Sequence, residues 1–317
     1  MKVVHKVLTN NISYCLKNGK ATENLKWNIA LYMIYSTLEV KMIYLILAIV
    51  SSALVSIMMR VSEASKNSIT VLCFNYLTCS ILSVIYNGGF KFSGEKINVA
   101  LILGILTGIL YLVSLALLRV SIRKNGVVLS STFMKLGVLV PIVIAIVIFN
   151  ERPGVLGIAG FILAILSIIY INHKGEEGGN LKGSYILFLI LLGGGFADSL
   201  TNFYEKLGNP DLKDLYLLLT FFTAFIISLV VRFIKKEKFE VKDIIYGASI
   251  GIPNYYASRF VLLALGKMNA TIVYPVYNVG AILLVTVFGV LVFKESLNKR
   301  KKIGMILILI SLILLNI

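Results

Sequence analysis

From Met42 onward, long apolar runs alternate with short polar breaks along the chain. A helix of about 20 apolar residues, rising 1.5 Å per residue, matches the thickness of a bilayer's hydrocarbon core. Ten such spans are predicted: 43–59, 68–86, 99–118, 125–149, 155–171, 184–203, 215–234, 244–266, 269–293 and 303–317. Soluble domains show apolar residues in periodic rather than continuous runs. The pattern therefore predicts an all-α polytopic membrane protein with ten transmembrane helices. The charged, glycine-rich stretch His173 to Asn180 lies in a linker, 173–183, that divides the spans five and five.

Two of the spans carry polar groups that lipid cannot satisfy. The ninth opens with Tyr274-Pro275-Val276-Tyr277-Asn278, and the fourth holds Lys135 ahead of Pro141. Such groups are expected to face protein or a wet cavity. The two spans are related. At an offset of 144 residues Tyr111 meets Tyr255, Ser114 meets Ser258, Asn125 meets Asn269, Phe149 meets Phe293 and Glu151 meets Glu295. Gly160 meets Gly304 at the same offset. These polar, aromatic and glycine matches fall at span ends in both copies. Each copy, 42–172 and 184–317, holds five spans, an odd number, so the second enters the membrane upside down. Inverted repeats point to a transporter, because two halves can exchange conformations about a site near the midplane.

With Pro141 and the apolar run to Phe149-Asn150-Glu151, followed by Gly157 and Gly160, the first copy resembles the EamA-type drug/metabolite transporter superfamily. Tyr274-Pro275, the run to Phe293-Lys294-Glu295 and then Gly304 repeat the resemblance in the second copy. It covers Met42 to Ile317. The resemblance implies ten helices, a central cavity between the halves, and export or exchange of small metabolites such as amino acids. Asn150 and Lys294 depart from it, standing where a glycine commonly precedes the glutamate.

Lys135, at mid-span, is a candidate contact for an anion or carboxylate, or one arm of a gating ion pair; a lysine bonded to carbonyls at a helix break is the plainer reading. Arg259, with Asn254 and Tyr255 beside it, is a second candidate, although it lies close enough to its span end to reach the interface. Asp198 is the candidate for carrying a coupling proton, with a plain interfacial residue or a partner of Lys135 or Arg259 as the other readings. The preceding Gly193-Gly194-Gly195 suits close helix packing, and Ser51-Ser52-Ala53 occupies a similar place in the first half. Tyr274, Tyr277, Asn278, Tyr111 and Asn75 are candidate cavity lining. Pro141, Pro275, Glu151 and Glu295 are assigned to structure, the glutamates because a carboxylate favours a helix N-terminus.

Composition agrees with a membrane protein: 58% of the 317 residues are hydrophobic, with a mean hydropathy of +0.90. The net charge of +16 comes from lysines and arginines in short loops. There they set topology and meet anionic headgroups, so a nucleic-acid partner is not implied. Cys15, Cys73 and Cys79 lack metal-ligand spacing, and no metal or other cofactor is expected. Residues 1–41 form a lysine-punctuated extension, read either as an interfacial segment or as a start upstream of the true one at Met42. Counting Lys and Arg in alternate loops places Met42 and Ile317 outside the membrane. The resemblance and the basic extension place the termini inside, and the sequence leaves both open.

The expected partners are the lipid bilayer, a small-molecule substrate and protons as coupling ion, in the plasma membrane. No P-loop pattern suggests ATP as a driver. An embedded enzyme would need a clustered acid/base or metal constellation that the sequence does not offer. A short-loop membrane scaffold or receptor is the alternative to a transporter.

Overall fold

The computed structural model describes residues 23–87, 97–140, 143–144, 154–172, 184–238, 240–266, 268 and 270–314. Pro141 and Glu151 lie outside these residues. The chain divides into two compact units, 1–44 and 45–317. In the first, the described residues are helical from Glu23 onward; the second is the helical bundle considered below.

Ten α-helices and no strands occur among the described residues. They are α1 (Glu23–Val61), α2 (Ser68–Asn87), α3 (Ile97–Asn125), α4 (Val127–Lys135) and α5 (Val155–Asn172). The second five are α6 (Ser184–Leu207), α7 (Lys213–Lys235), α8 (Val241–Leu265), α9 (Ala270–Leu291) and α10 (Lys299–Leu314). By length and composition, Met42–Ala64, Ser68–Tyr86, Ile97–Asn125, Tyr185–Leu207 and Pro210–Lys235 are each suited to crossing a membrane. Ile85, Ile102, Phe233 and Leu291 are among many large apolar side chains that point outward. Such a surface is costly in water and satisfied by lipid tails. The protein is an all-α polytopic membrane protein.

Helix α3 runs further than the expected 99–118, because Asn125 closes it rather than opening the next span. Gly126, at φ 85°, makes the break, and a left-handed backbone at that point suits a residue without Cβ. Helix α2 lies along α7 and α8, α3 along α6 and α7, α4 along α6 and α9, and α5 along α10. Exchanging the first five helices for the last five maps α2–α7, α4–α9 and α5–α10 onto themselves and turns α3–α7 into α8–α2. Glycines bring these helices close. A Cβ on Gly251 of α8 would stand 2.5 Å from the Asn75 carbonyl oxygen of α2, and one on Gly108 of α3 would stand 2.9 Å from Thr223 Cβ of α7. Gly104–Gly108 and Gly247–Gly251 both have the four-residue spacing that lets membrane helices approach each other.

At the end of the bundle where α1 leads into α2, second-half carboxylates satisfy first-half backbone. Glu237 accepts hydrogen bonds from the N–H groups of Ile69 (3.2 Å) and Thr70 (2.7 Å), in the first turn of α2. Glu295 accepts from the N–H groups of Val127 (2.7 Å) and Val128 (3.2 Å), the first residues of α4. A helix N-terminus offers unpaired N–H groups and a positive dipole end, and a carboxylate meets both needs. Beside them Asp243 accepts from Ser65 Oγ and Asn67 Nδ2. Arg119, 1% exposed, donates to Ser62 Oγ and to the carbonyls of Ser62 and Ser65.

Two variants test this packing. Gly251→Val is expected to lower stability by about 1–3 kcal/mol, the usual cost of forcing atoms into a filled contact. It would read as a lower melting temperature in detergent, while Ile252→Val on the exposed face leaves that temperature unchanged. Glu295→Ala is expected to cost about 0.5–2 kcal/mol, the range for a lost helix cap. Glu295→Gln, which keeps an acceptor, should lose less. Equal losses in both variants would assign the effect to charge alone.

Candidate functional site

Midway along the bundle, helices from both halves surround an open cavity with about 720 Å³ of empty space, part of it solvent at the mouth. Helices α1, α3 and α4 contribute to its wall from the first five, and α6, α8 and α9 from the second. A lobe with about 460 Å³ of empty space, open solvent included, adjoins it, and Tyr111, Asp198, Ser258 and Tyr277 line both. The lobe is walled by Thr201 near the end of α6, Tyr216 near the start of α7 and Tyr274 near the start of α9. It therefore extends away from the end where Glu237 and Glu295 cap α2 and α4.

The chemistry of the cavity rests on two charges. Lys135 ends α4, nine residues beyond Gly126, roughly 13 Å along the helix at 1.5 Å per residue. Its ammonium lies 3.9 Å from the centroid of the Tyr277 ring, close enough for the ring face to attract it. Asp198 enters from α6, about 21 Å along that helix by the same rise. Glycines set the approach of α6: a Cβ on Gly193 would meet Ser114 Oγ at 3.0 Å, and one on Gly194 would meet the Met134 carbonyl oxygen at 3.2 Å. Gly195 likewise faces Gly137 and Val140. The glycine triplet thus does what its composition suggests, holding α6 close against α3 and α4.

Hydroxyls and amides complete the wall. Asn254 lines the cavity and donates to Asn75 Oδ1 at 3.2 Å, so Asn75 supports it from behind. In the adjoining lobe Tyr274 OH donates to Asn202 Oδ1 at 2.6 Å. Tyr216 OH donates to Thr107 Oγ1 at 3.1 Å and lies 3.2 Å from Thr201 Oγ1. Ser114 and Ser131 also line the main cavity, and their buried hydroxyls have no hydrogen-bond partner among the described residues.

Of the residues singled out from sequence, Lys135, Asp198, Tyr111, Tyr277, Asn254 and Tyr274 come together around these two lobes. Others do not reach them. Arg259 turns away, donating to Asp214 Oδ1 and to Tyr255 OH (2.9 Å) and lying 4.4 Å over the Tyr86 ring. Tyr255 is buried against Tyr86 and Phe221. Asn278 is buried beside the cavity-facing Tyr277 without lining either lobe. Pro275 lies inside α9, which continues through it. Glu295 is structural, but the helix it caps is α4 of the other half rather than the one that follows it. The serines were missed by sequence reasoning, since serine is common on ordinary membrane helices. Ser131 does carry one signal, its place one turn before Lys135 on the same face.

Comparisons with known proteins agree with this architecture. A protein of Haemophilus influenzae (strain ATCC 51907 / DSM 11121 / KW20 / Rd), described as uncharacterized, is 27% identical, covering 83% of this chain and 93% of that one. A solved crystal structure superposes with a TM-score of 0.57 at 12% identity, over 87% of this chain and 96% of its own. At that identity the likeness concerns the fold. Residues 40–173 match the EamA-like transporter family. Over those residues the chain is similar to EamA-like transporters, and its helices are those of a polytopic membrane protein.

Proposed function

We propose that this chain is a secondary transporter that exports or exchanges a small metabolite such as an amino acid, in the plasma membrane. Residues 42–172 and 184–317 act as two inverted halves, alternately opening the cavity between them to either side. The observation that carries this reading is the cavity itself. It lies at mid-bundle between helices of both halves, and it holds Lys135 and Asp198 at a depth where charges are costly without a role.

In this reading Lys135 contacts the substrate, while Tyr111, Asn254, Tyr274 and Tyr277 shape its surroundings. Asp198 is the group at which protons would enter the cycle. Contacts at one end, from Glu237 and Glu295, hold that end shut while the lobe near Tyr274 leads toward the other. A scaffold or receptor, the alternative from sequence, gives no reason for two mid-depth charges around a solvent-reaching space.

Purified protein in proteoliposomes is expected to show counterflow of at least one member of a radiolabelled metabolite panel that includes the amino acids. No exchange across the panel sinks the transporter reading. Lys135→Ala should abolish that exchange while the protein remains folded in detergent; unchanged exchange removes Lys135 from the site. An imposed pH gradient should drive accumulation by the parent protein, and Asp198→Asn should abolish the drive. Accumulation that ignores the gradient ends the proton assignment.

A further inference from the structure

At the end where Glu295 caps α4, one arginine stands between two carboxylates from different halves. Arg60, in the last turn of α1, donates from Nη1 to Glu63 Oε2, and its Nε lies 4.0 Å from Glu295 Oε1. Glu63 belongs to the first half, in the short turn Ser62–Ala64 that follows α1. Glu295 belongs to the second half, beyond α9. Both carboxylate side chains are less exposed than the arginine, at 15% and 11% against 32%. Each therefore depends on protein groups for much of its pairing.

The two acceptors are unequally satisfied. Glu295 already receives the N–H groups of Val127 and Val128. Among the described residues Glu63 receives Arg60 alone, and its Oε1 is buried with no hydrogen-bond partner. A buried acceptor left without a donor is costly, and more so when it carries charge. Arg119 and Arg123 are near enough to act on Glu63 by charge. Both, however, donate to the turn around it, Arg119 to Ser62 and Ser65 and Arg123 to the Ser65 carbonyl. A guanidinium can offer two parallel N–H groups to one carboxylate. Here the Arg60 guanidinium is stretched across two.

Resting on the transporter reading above, we propose that Glu63 is the receiving carboxylate of a gate. When this end of the bundle opens, Arg60 leaves Glu295 and gives Glu63 Oε1 the N–H it lacks. The shut arrangement keeps that oxygen orphaned, and the open one pairs it. Glu63 thus offsets part of the cost of releasing Glu295 from α4, before any substrate contributes. It lines neither lobe of the cavity, so it is a positioning residue that acts through Arg60.

The test is amide hydrogen exchange on the purified full-length protein in detergent, read by mass spectrometry over the peptide holding Val127 and Val128. Those N–H groups are held by Glu295 and exchange when this end opens locally. Glu63→Gln removes the charge that draws Arg60 away. Exchange there should slow by about tenfold or more, the effect of one hydrogen bond to a charged group. The sign is diagnostic, because a damaged turn would open more often and speed exchange. In an Arg60→Gln background, adding Glu63→Gln should change nothing further, since the carboxylate then has no guanidinium to receive.

Exchange that is unchanged or faster in Glu63→Gln overturns the proposal. So does slowing that persists without Arg60, which passes the role to Arg119 or Arg123. In both cases the end still opens, and the transporter reading stands. Exchange of Val127 and Val128 only at the rate of the core amides of α3 would mean that this end opens only with the whole bundle. The inference and the transporter reading then fall together.

Discussion

Inside a membrane a polar group has no water to fall back on, so each one must find a partner within the protein or face a cavity. That constraint organises this bundle. Its outward faces are apolar, and its hydroxyls, amides and charges are drawn to the surfaces between helices. Asn75 and Asn254 meet across α2 and α8, and Tyr216 reaches Thr107 across α7 and α3. Bonds of that length need helix backbones to approach closely, which Gly251 and Gly108 allow. Small residues and polar bonds are two parts of one arrangement: removing the first would stretch the second.

The same constraint explains the closed end. The first turns of α2 and α4 expose N–H groups, and the acceptors that satisfy them come from Glu237 and Glu295, far along the chain. Hydrogen bonds to charged acceptors contribute about 1.5–3 kcal/mol each, so separating that end exposes several such groups together. Opening that end on the proposed cycle would release its carboxylates to water together. On the proposed cycle, the cost of release falls to substrate and coupling ion. Gly126 shows how tight the contact is, since any Cβ there would lie 2.8 Å from the Glu295 carboxylate.

Much of this was legible in the sequence, for physical reasons. Spans are read easily because twenty apolar residues have few alternatives. Lys135 and Asp198 stand out because charges are rare at such depth, and both face the cavity. Arg259 stood out on the same grounds, but its partner Asp214 lies 45 residues away. Nothing local distinguishes an arginine with a distant carboxylate from one awaiting a ligand. Glu295 was recognisable as a helix cap, while the helix it caps depends on how two halves pack. The glycine pairs at 104 and 108 and at 247 and 251 carry a readable spacing. The cavity serines do not, because an orphaned hydroxyl becomes visible only when its neighbours are placed.

The difference between the two copies locates the chemistry. At the 144-residue offset Lys135 corresponds to Val279, which packs against the core. Matching Ser51-Ser52-Ala53 with Gly193-Gly194-Gly195 sets Ser56 opposite Asp198, and both line the cavity. Each charge therefore has a neutral counterpart, and the two charges come from different copies. Had both stood in one half, a molecule touching both would travel with that half and report nothing about the other. Placed across the interface, the two charges face one cavity from α4 and from α6. A ligand shifts a conformational equilibrium only through its differential affinity for the states. On the proposed cycle that difference has a direct source, since relative movement of the halves would change the separation of the two charges.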